Sequence, residues 1–420
     1  MNILLLGEGG GRDHALAWKI AQSPVVTRFF ITKRNAGMLS IGEEALVDAN
    51  NHKALVAFCK ELSIELAVVS PDALLASGVV DALTEAGIPA FGPTKAAAQI
   101  EWSKAYAKQV MEEEGIPTAR GKTFTDYIDA KAYVDAHPLP VVVKASGLAR
   151  GKGVTVAASR EEAVAALQAA MVDDVFEGSG KEVVIEEFLE GTEISIHALA
   201  AGDDAVLFPP SKDHKRVFDD DKGPNTGGMG AIVPVPVPEG LLPDVRDTIV
   251  LPLLRGLKKR DRSFYGLLYP GLMLTAQGPK VVEFNARFGD PEAEVYMRLL
   301  QDDVVPALLA IAHGSLPEEL QWSSNAVAGI MMASGGYPDH YEKGKIITGI
   351  EEAEKSGAVV FHAGTKMENG KLVTNGGRVL NVTATGKDLS EALQNTYAAI
   401  GRISFEGAHY RTDIGKRALR

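Results

Sequence analysis

Over the first hundred residues, short apolar runs alternate with helix-patterned segments, and this alternation restricts the fold more than any other feature of the chain. Ile3–Leu6, Arg28–Ile31, Ala67–Val69 and Ala90–Phe91 read as strands, while Asp13–Gln22, Asn51–Leu62 and Val79–Ala86 read as helices. Strands joined in this way lie parallel, with helices on both faces of the sheet. Sheets of this kind bind ligands at the carboxyl ends of their strands. Gly7–Gly11, Asn35-Ala36-Gly37 and Ser70–Leu75 occupy those ends and form a predicted binding rim.

The rest of the chain changes character twice. From about Trp102 to His313, predicted helices at Ser103–Glu114 and Arg160–Ala170 mix with strands at Val141–Lys144, Val183–Ile185, Glu193–Leu199, Gly271–Thr275 and Lys280–Asn285. From Ser324 onward, short strands and Gly turns dominate. The 420 residues exceed one ordinary core and divide into three expected domains, at 1–102, 103–323 and 324–420.

Charge and cysteine content narrow the function classes. A net charge of −12 argues against nucleic acid as the main partner, because backbone binding needs surplus Lys and Arg. The single cysteine, Cys59, excludes an internal disulfide and a Cys-based zinc site. No apolar run approaches the roughly 20 residues that span a bilayer, and the N-terminus lacks a signal-peptide pattern. A cytoplasmic address and no membrane contact are the expectations.

Several segments have the composition of a nucleotide site. Gly7-Glu8-Gly9-Gly10-Gly11-Arg12 fails the dinucleotide fingerprint, since Arg12 stands where its third glycine belongs and Thr32-Lys33-Arg34 where its acid belongs. It reads either as a tight turn or as a phosphate cradle of backbone amides at a helix N-terminus. Lys144 through Val154, containing Gly147, Gly151, Lys152 and Gly153, is no Walker loop. Three residues separate its first two glycines, and strands flank it. A Gly-rich hairpin with lysines suits closure over phosphates. Glu186-Glu187-Phe188-Leu189 leaves an apolar strand, a place from which backbone groups can be offered to an adenine edge. Glu193 follows on a strand with a polar face, which by itself reads as a half-buried strand.

Period two puts Glu283, Asn285 and Arg287 on one strand face. The first two carry hard oxygen donors suited to Mg²⁺, and Arg287 suits charge developing on a transferring phosphoryl group. Asp213-His214-Lys215-Arg216 reads most simply as a solvated charged loop. Pro224 through Gly230 packs three glycines into seven positions, consistent with close approach of backbone to a ligand.

Together these segments resemble the ATP-grasp superfamily and, within it, the phosphoribosylamine–glycine ligase family. Arg287-Phe288-Gly289-Asp290-Pro291-Glu292-Ala293-Glu294 is the most specific match. Asp213–Arg216 with Gly223–Ala231, Lys144–Gly153 and Ala333–Pro338 support it, and the resemblance covers essentially the whole chain. It implies an α/β fold: an N-terminal parallel domain, a two-lobed ATP-grasp domain with a mobile small lobe at about 120–187, and a β-rich C-terminal domain. It also implies ligation of glycine to 5-phosphoribosylamine through glycyl phosphate, releasing ADP and phosphate. A contrasting NAD-dependent oxidoreductase rests only on Gly7–Gly11, and a sister ATP-grasp ligase should lack Arg287–Glu292 and Asn225–Gly230.

By the resemblance, Lys104, Lys144, Gly147, Gly151, Lys152 and Gly153 contact ATP phosphates. Glu186, Glu187 and Leu189 line adenine, and Glu193 holds the ribose. Glu283 and Asn285 bind Mg²⁺ or Mn²⁺, and no acid on Gly271–Leu274 supplies a third ligand. Arg287 and Asp213 fall in the catalytic group, with Gly9, Gly10, Asn35, Gly37, Asn225, Thr226, Gly227 and Asp290 at the substrates. The lability of phosphoribosylamine makes transient contact with the enzyme that produces it an expectation. Departures from the family pattern cluster on the N-terminal rim: the extra glycine in Gly9–Gly11, Asp13, Lys33-Arg34, Ser70, Asp72 and Leu74, with Ser146 beyond it. Arg34, just beyond the second strand's carboxyl end, reads more simply as a solvated surface charge and alternatively as a contact to the phosphate of phosphoribosylamine.

Overall fold

The computed structural model describes residues 1–148 and 153–419. Strand Asn2–Leu6 lies at the centre of a five-stranded parallel sheet, flanked by Arg28–Ile31 and Glu43–Glu44 on one side and by Leu66–Val69 and Ala90–Phe91 on the other. Its unalternating run Ile3-Leu4-Leu5-Leu6 is fully buried, as a strand covered on both faces requires. The strand order reverses at Asn2–Leu6, so a crevice opens at its carboxyl end, where Gly7–Gly10 turn into helix Gly11–Ile20. A short helix absent from the sequence expectation, Asp72–Ser77, precedes Val79–Glu85.

Two helices lead out of this domain. Thr94 caps Lys95–Trp102 by accepting from the Ala97 N–H, and Ser103 caps Lys104–Glu113 by accepting from Tyr106. A four-stranded antiparallel sheet follows, ordered Gly121–Phe124, Val183–Glu187, Val141–Ala145 and Val154–Ala157. Helices Tyr127–Ala136 and Arg160–Leu167 pack on it through a separate hydrophobic core that includes Phe124, Val134, Val143 and Leu167.

The next sheet is built on the twelve-residue strand Phe264–Thr275, which pairs with Gly278–Asn285. The single strand expected over Glu193–Leu199 is corrected here. The chain forms Thr192–Ser195 and Ala198–Gly202, both antiparallel to Phe264–Thr275, with a break at Ile196-His197. His197 leaves the predicted polar face for the core, where its ring stacks on Tyr269 and Nε2 accepts from the Gly289 N–H at 3.0 Å.

The last five-stranded sheet runs Lys212–Asp213, Gly230–Val233, Ala326–Ala333, Arg378–Gly386 and Val359–His362. Two of its strands precede residue 323 and three follow it, and helix Leu389–Ile400 packs across Ala326–Ala333 and Arg378–Gly386. Among the described residues no helix is long and apolar enough to cross a membrane.

Candidate active site

A cavity of about 630 Å³ lies where these sheets converge, a size typical of small-molecule sites. Strand Gly278–Asn285 and the turn after it supply Glu283, Asn285, Arg287 and Asp290 to its wall. The two-residue periodicity holds for Glu283 and Asn285, whereas Arg287 lies past the strand's end, in the following turn, and joins them at the same cavity. Arg287 Nη2 donates to Asn285 Oδ1 at 3.2 Å, and Asn285 Nδ2 lies 3.5 Å from the Tyr269 carbonyl. The amide is thereby oriented with its oxygen on the Arg287 side.

Lysines from several elements gather at another part of the cavity. Lys144 pairs with Glu186 Oε2 at 2.5 Å and donates to the Val282 carbonyl at 2.9 Å, joining the four-stranded sheet to strand Gly278–Asn285. Lys108, which no sequence motif marks, holds the other oxygen of Glu186 at 2.9 Å. The Glu186 carboxyl is buried, yet Lys144 and Lys108 keep its pKa below the usual range. Lys104 lines the cavity and forms no ion pair among the described residues; burial lowers its pKa. Lys215 bridges Glu193 Oε1 at 2.5 Å and Glu283 Oε1 at 3.4 Å. Burial opposes ionisation of Glu283, but Lys215, then Lys104 and Lys144, pull it down to about 2.

The N-terminal glycine loop does not present free amides. The N–H groups of Glu8, Gly9 and Gly10 all point at Asp13 Oδ2, at 2.7, 2.8 and 3.1 Å. Asp13 Oδ1 accepts from Ser70 at 2.5 Å. The phosphate-cradle reading of this loop is corrected accordingly: a carboxylate of the chain itself takes those donors. Gly9 and Gly10 still line the cavity. Gly11 must be bare because a Cβ there would collide with the Glu294 carboxylate.

The far wall is acidic. Asp213 faces Glu292, whose Oε1 accepts from Tyr269 at 2.5 Å and Ser195 at 3.1 Å. Burial and the Glu292 charge push the Asp213 pKa well up, so it is no solvated loop residue. Asn225, Thr226 and Gly227 reach the cavity beside it. The glycines here make room for the chain's own groups. A Cβ on Gly227 would stand 2.9 Å from Arg378 Cζ, and one on Gly228 would stand 2.7 Å from Asp213 Oδ1. Gly228 also has φ +112°, a conformation that favours glycine. Arg378, from the C-terminal sheet, pairs with Asp290 Oδ1 at 2.9 Å and donates to the backbone carbonyls of Asp290 and Gly227. Its only local signal in the sequence is the Gly376-Gly377 turn before it.

Other predicted residues stand apart from the cavity wall. Asn35 is buried behind it, donating to the carbonyls of Gly9 and His362 at 3.0 and 2.6 Å and accepting from Gly37. Gly37 packs against His14 and His362. Arg34 donates to the Gly42 carbonyl at 2.8 Å and pairs with Glu44 at 3.1 Å, in keeping with the simpler surface reading and not with the phosphate contact. Glu187 turns to Arg120 and Lys280, and neither it nor Leu189 lines the cavity. Gly147 anchors the hairpin by donating to Ser179 at 3.0 Å, Gly153 reaches the cavity, and Gly151 and Lys152 lie outside the described residues.

Glu283 and Asn285 offer two hard oxygens. Among the described residues, no group of three or more His, Cys, Asp or Glu is placed to hold a metal. Two protein oxygens completed by nucleotide phosphates and water suit a Mg²⁺ or Mn²⁺ ion.

Comparison with known proteins settles the family. Models of the phosphoribosylglycinamide synthetase N domain, ATP-grasp (A) domain and C domain match residues 1–101, 102–293 and 327–417. The chain is 48% identical to a phosphoribosylamine–glycine ligase of Halalkalibacterium halodurans, across 100% of this chain and 97% of that one. The chain belongs to the phosphoribosylamine–glycine ligase family. A relative of that name from Mesorhizobium japonicum is 47% identical over 100% of this chain and 99% of its own. The crystal structure of a Thermotoga maritima member superposes with a TM-score of 0.88 at 36% identity, covering 98% of this chain and 100% of that one. The fold is thus the ATP-grasp fold expected from the sequence.

Proposed function

We propose that this cavity joins glycine to 5-phosphoribosylamine at the expense of ATP, the second step of purine biosynthesis. The family membership supports the overall reaction. The observation that carries the chemistry is the meeting of Glu283, Asn285 and Arg287 with Lys104 and Lys144 at one cavity. ATP lies between the lobes, with its phosphates toward the two lysines, adenine near Glu186 and ribose near Glu193. A glycine carboxylate oxygen attacks the terminal phosphorus, forming glycyl phosphate and releasing ADP. The phosphoribosylamine nitrogen then attacks the glycyl carbonyl carbon, phosphate leaves, and the nitrogen loses a proton.

Each residue has a physical task in this scheme. A carboxylate resists amines until one oxygen becomes a good leaving group, which phosphorylation supplies. Arg287 faces charge building on the transferring phosphoryl group. Glu283 and Asn285 would hold Mg²⁺ or Mn²⁺, which supplies charge neutralisation across the phosphates when bound. Asp213, whose pKa burial and the Glu292 charge raise, stands on the acidic wall where the amine is expected to arrive. Asn225, Thr226, Gly227 and Asp290 border the amine and glycine end. The separate core of the lobe at 120–187 supports closure of that lobe over ATP as a unit.

The test combines ATP, Mg²⁺, glycine and freshly generated phosphoribosylamine. Glycinamide ribonucleotide, ADP and phosphate should appear in equal amounts by mass detection. AMP as the stoichiometric product would overturn the acyl-phosphate route.

A further inference from the structure

Glu101 lies in the last turn of the helix Lys95–Trp102, and its two oxygens grip the two residues that follow strand Gly278–Asn285. Oε2 accepts from the Ala286 N–H at 2.8 Å, and Oε1 pairs with Arg287 Nη2 at 2.9 Å. That same Nη2 donates to Asn285 Oδ1. A carboxylate outside every motif thus reaches, through one guanidinium nitrogen, the amide oxygen offered to the metal. Arg287 Nε–H has no hydrogen-bond partner among the described residues, so the guanidinium is held with a donor to spare.

We propose that Glu101 is a positioning residue of the phosphoryl-transfer site: it fixes the Arg287 guanidinium and, through it, the Asn285 amide oxygen. The proposal rests on the reaction assigned above. Burying an ion pair contributes little net stability, because desolvation offsets much of the attraction. Geometry is what this pair supplies. Without the Glu101 charge, Arg287 can swing toward the other acids of the cavity, and the amide of Asn285 loses the bond that selects its oxygen-inward orientation. Oxygens around a small dication tolerate little misplacement, so the effect extends to metal binding as well as to the chemical step.

The experiment uses the full chain with Glu101→Gln, Arg287→Met and the double variant. Glu101→Gln should lower kcat at least about tenfold while KM for phosphoribosylamine stays within about twofold. Calorimetric titration of MgCl₂ into ADP-loaded protein should show Mg²⁺ affinity reduced by about threefold or more. In the Arg287→Met background, Glu101→Gln should cost nothing further, because the route through Arg287 is already cut. Additive losses, or an active Glu101→Gln protein with unchanged Mg²⁺ affinity, would overturn the proposal. If Glu101→Gln fails to fold, Glu101→Asp takes its place: it keeps the charge but is one carbon too short to span both contacts, and the same three outcomes decide. A wild-type chain that makes no glycinamide ribonucleotide would instead overturn the assigned reaction, a result separable from these.

Discussion

The His362 backbone N–H donates to Nδ1 of His14 at 2.7 Å, tying the edge strand of the last sheet to the first helix. Only an unprotonated Nδ1 accepts that bond. Burial, reinforced by His362, lowers the His14 pKa to about 3, and burial lowers that of His362 to about 4. Both pKa values are depressed on folding, so the unfolded chain binds protons first as pH falls. Stability is full above pH ~6.5 and declines below it, by about 1.4 kcal/mol per pH unit for each histidine, until the folded pKa values are reached. Urea unfolding at pH 7.5 and at pH 5.5 should show this loss, and His14→Gln should flatten part of it.

Glu283→Gln should abolish most turnover. The substitution keeps the shape but removes the charge that Lys215, Lys104 and Lys144 surround. Loss of metal support should cost several kcal/mol in the transition state, roughly a thousandfold in kcat. Melting curves give an independent readout: MgATP should raise the wild-type midpoint and leave that of the variant nearly unmoved. Near-normal turnover at ordinary Mg²⁺ would make the strand face structural.

Arg34→Ala should leave KM for phosphoribosylamine unchanged, because Arg34 is committed to Gly42 and Glu44. Removing those ties should lower stability by about 1 kcal/mol. A several-fold rise in that KM at low salt would return Arg34 to the substrate.

Arg378→Met should damage both the site and the fold. Asp290 would lose its cation, and the Gly227 and Asp290 carbonyls would lose their donor. Removing a charged partner from this half-buried pair should cost about 1.5–3 kcal/mol, measurable by denaturant unfolding, and kcat/KM for phosphoribosylamine should fall with it. Arg378→Lys should recover only part, since an ammonium lacks the planar fork. Full activity in Arg378→Met would show that the clamp is dispensable.

What the sequence revealed follows the range of its signals. Period two placed Glu283 and Asn285 together because the pattern is local, and the strands and helices of the first domain were legible for the same reason. Glu101, Lys108 and Arg378 were not, because their partners lie far along the chain. The glycine loop misled for a subtler reason. Free amides are what a helix N-terminus offers, but Asp13, a few residues on, folds back and takes them. Asn35 and Arg34 stand near the carboxyl end of the second strand, where topology predicts a rim. Topology does not say which way a side chain turns, and His362 and Glu44 decide that. The strand predicted across Glu193–Leu199 broke because His197 seats beneath Gly289.

The sheet that joins Gly230–Val233 to Ala326–Ala333 has a consequence for how the protein is made. A ribosome delivers the first strand long before its neighbour, and His214, which takes the Gly415 N–H on Nε2, waits for a residue 201 positions further on. Until then the wall carrying Asp213 has an open edge, and such edges invite pairing with other chains. Nascent chains stalled before Ala326–Ala333 and Gly415 have emerged should therefore need chaperone cover and have no partial activity.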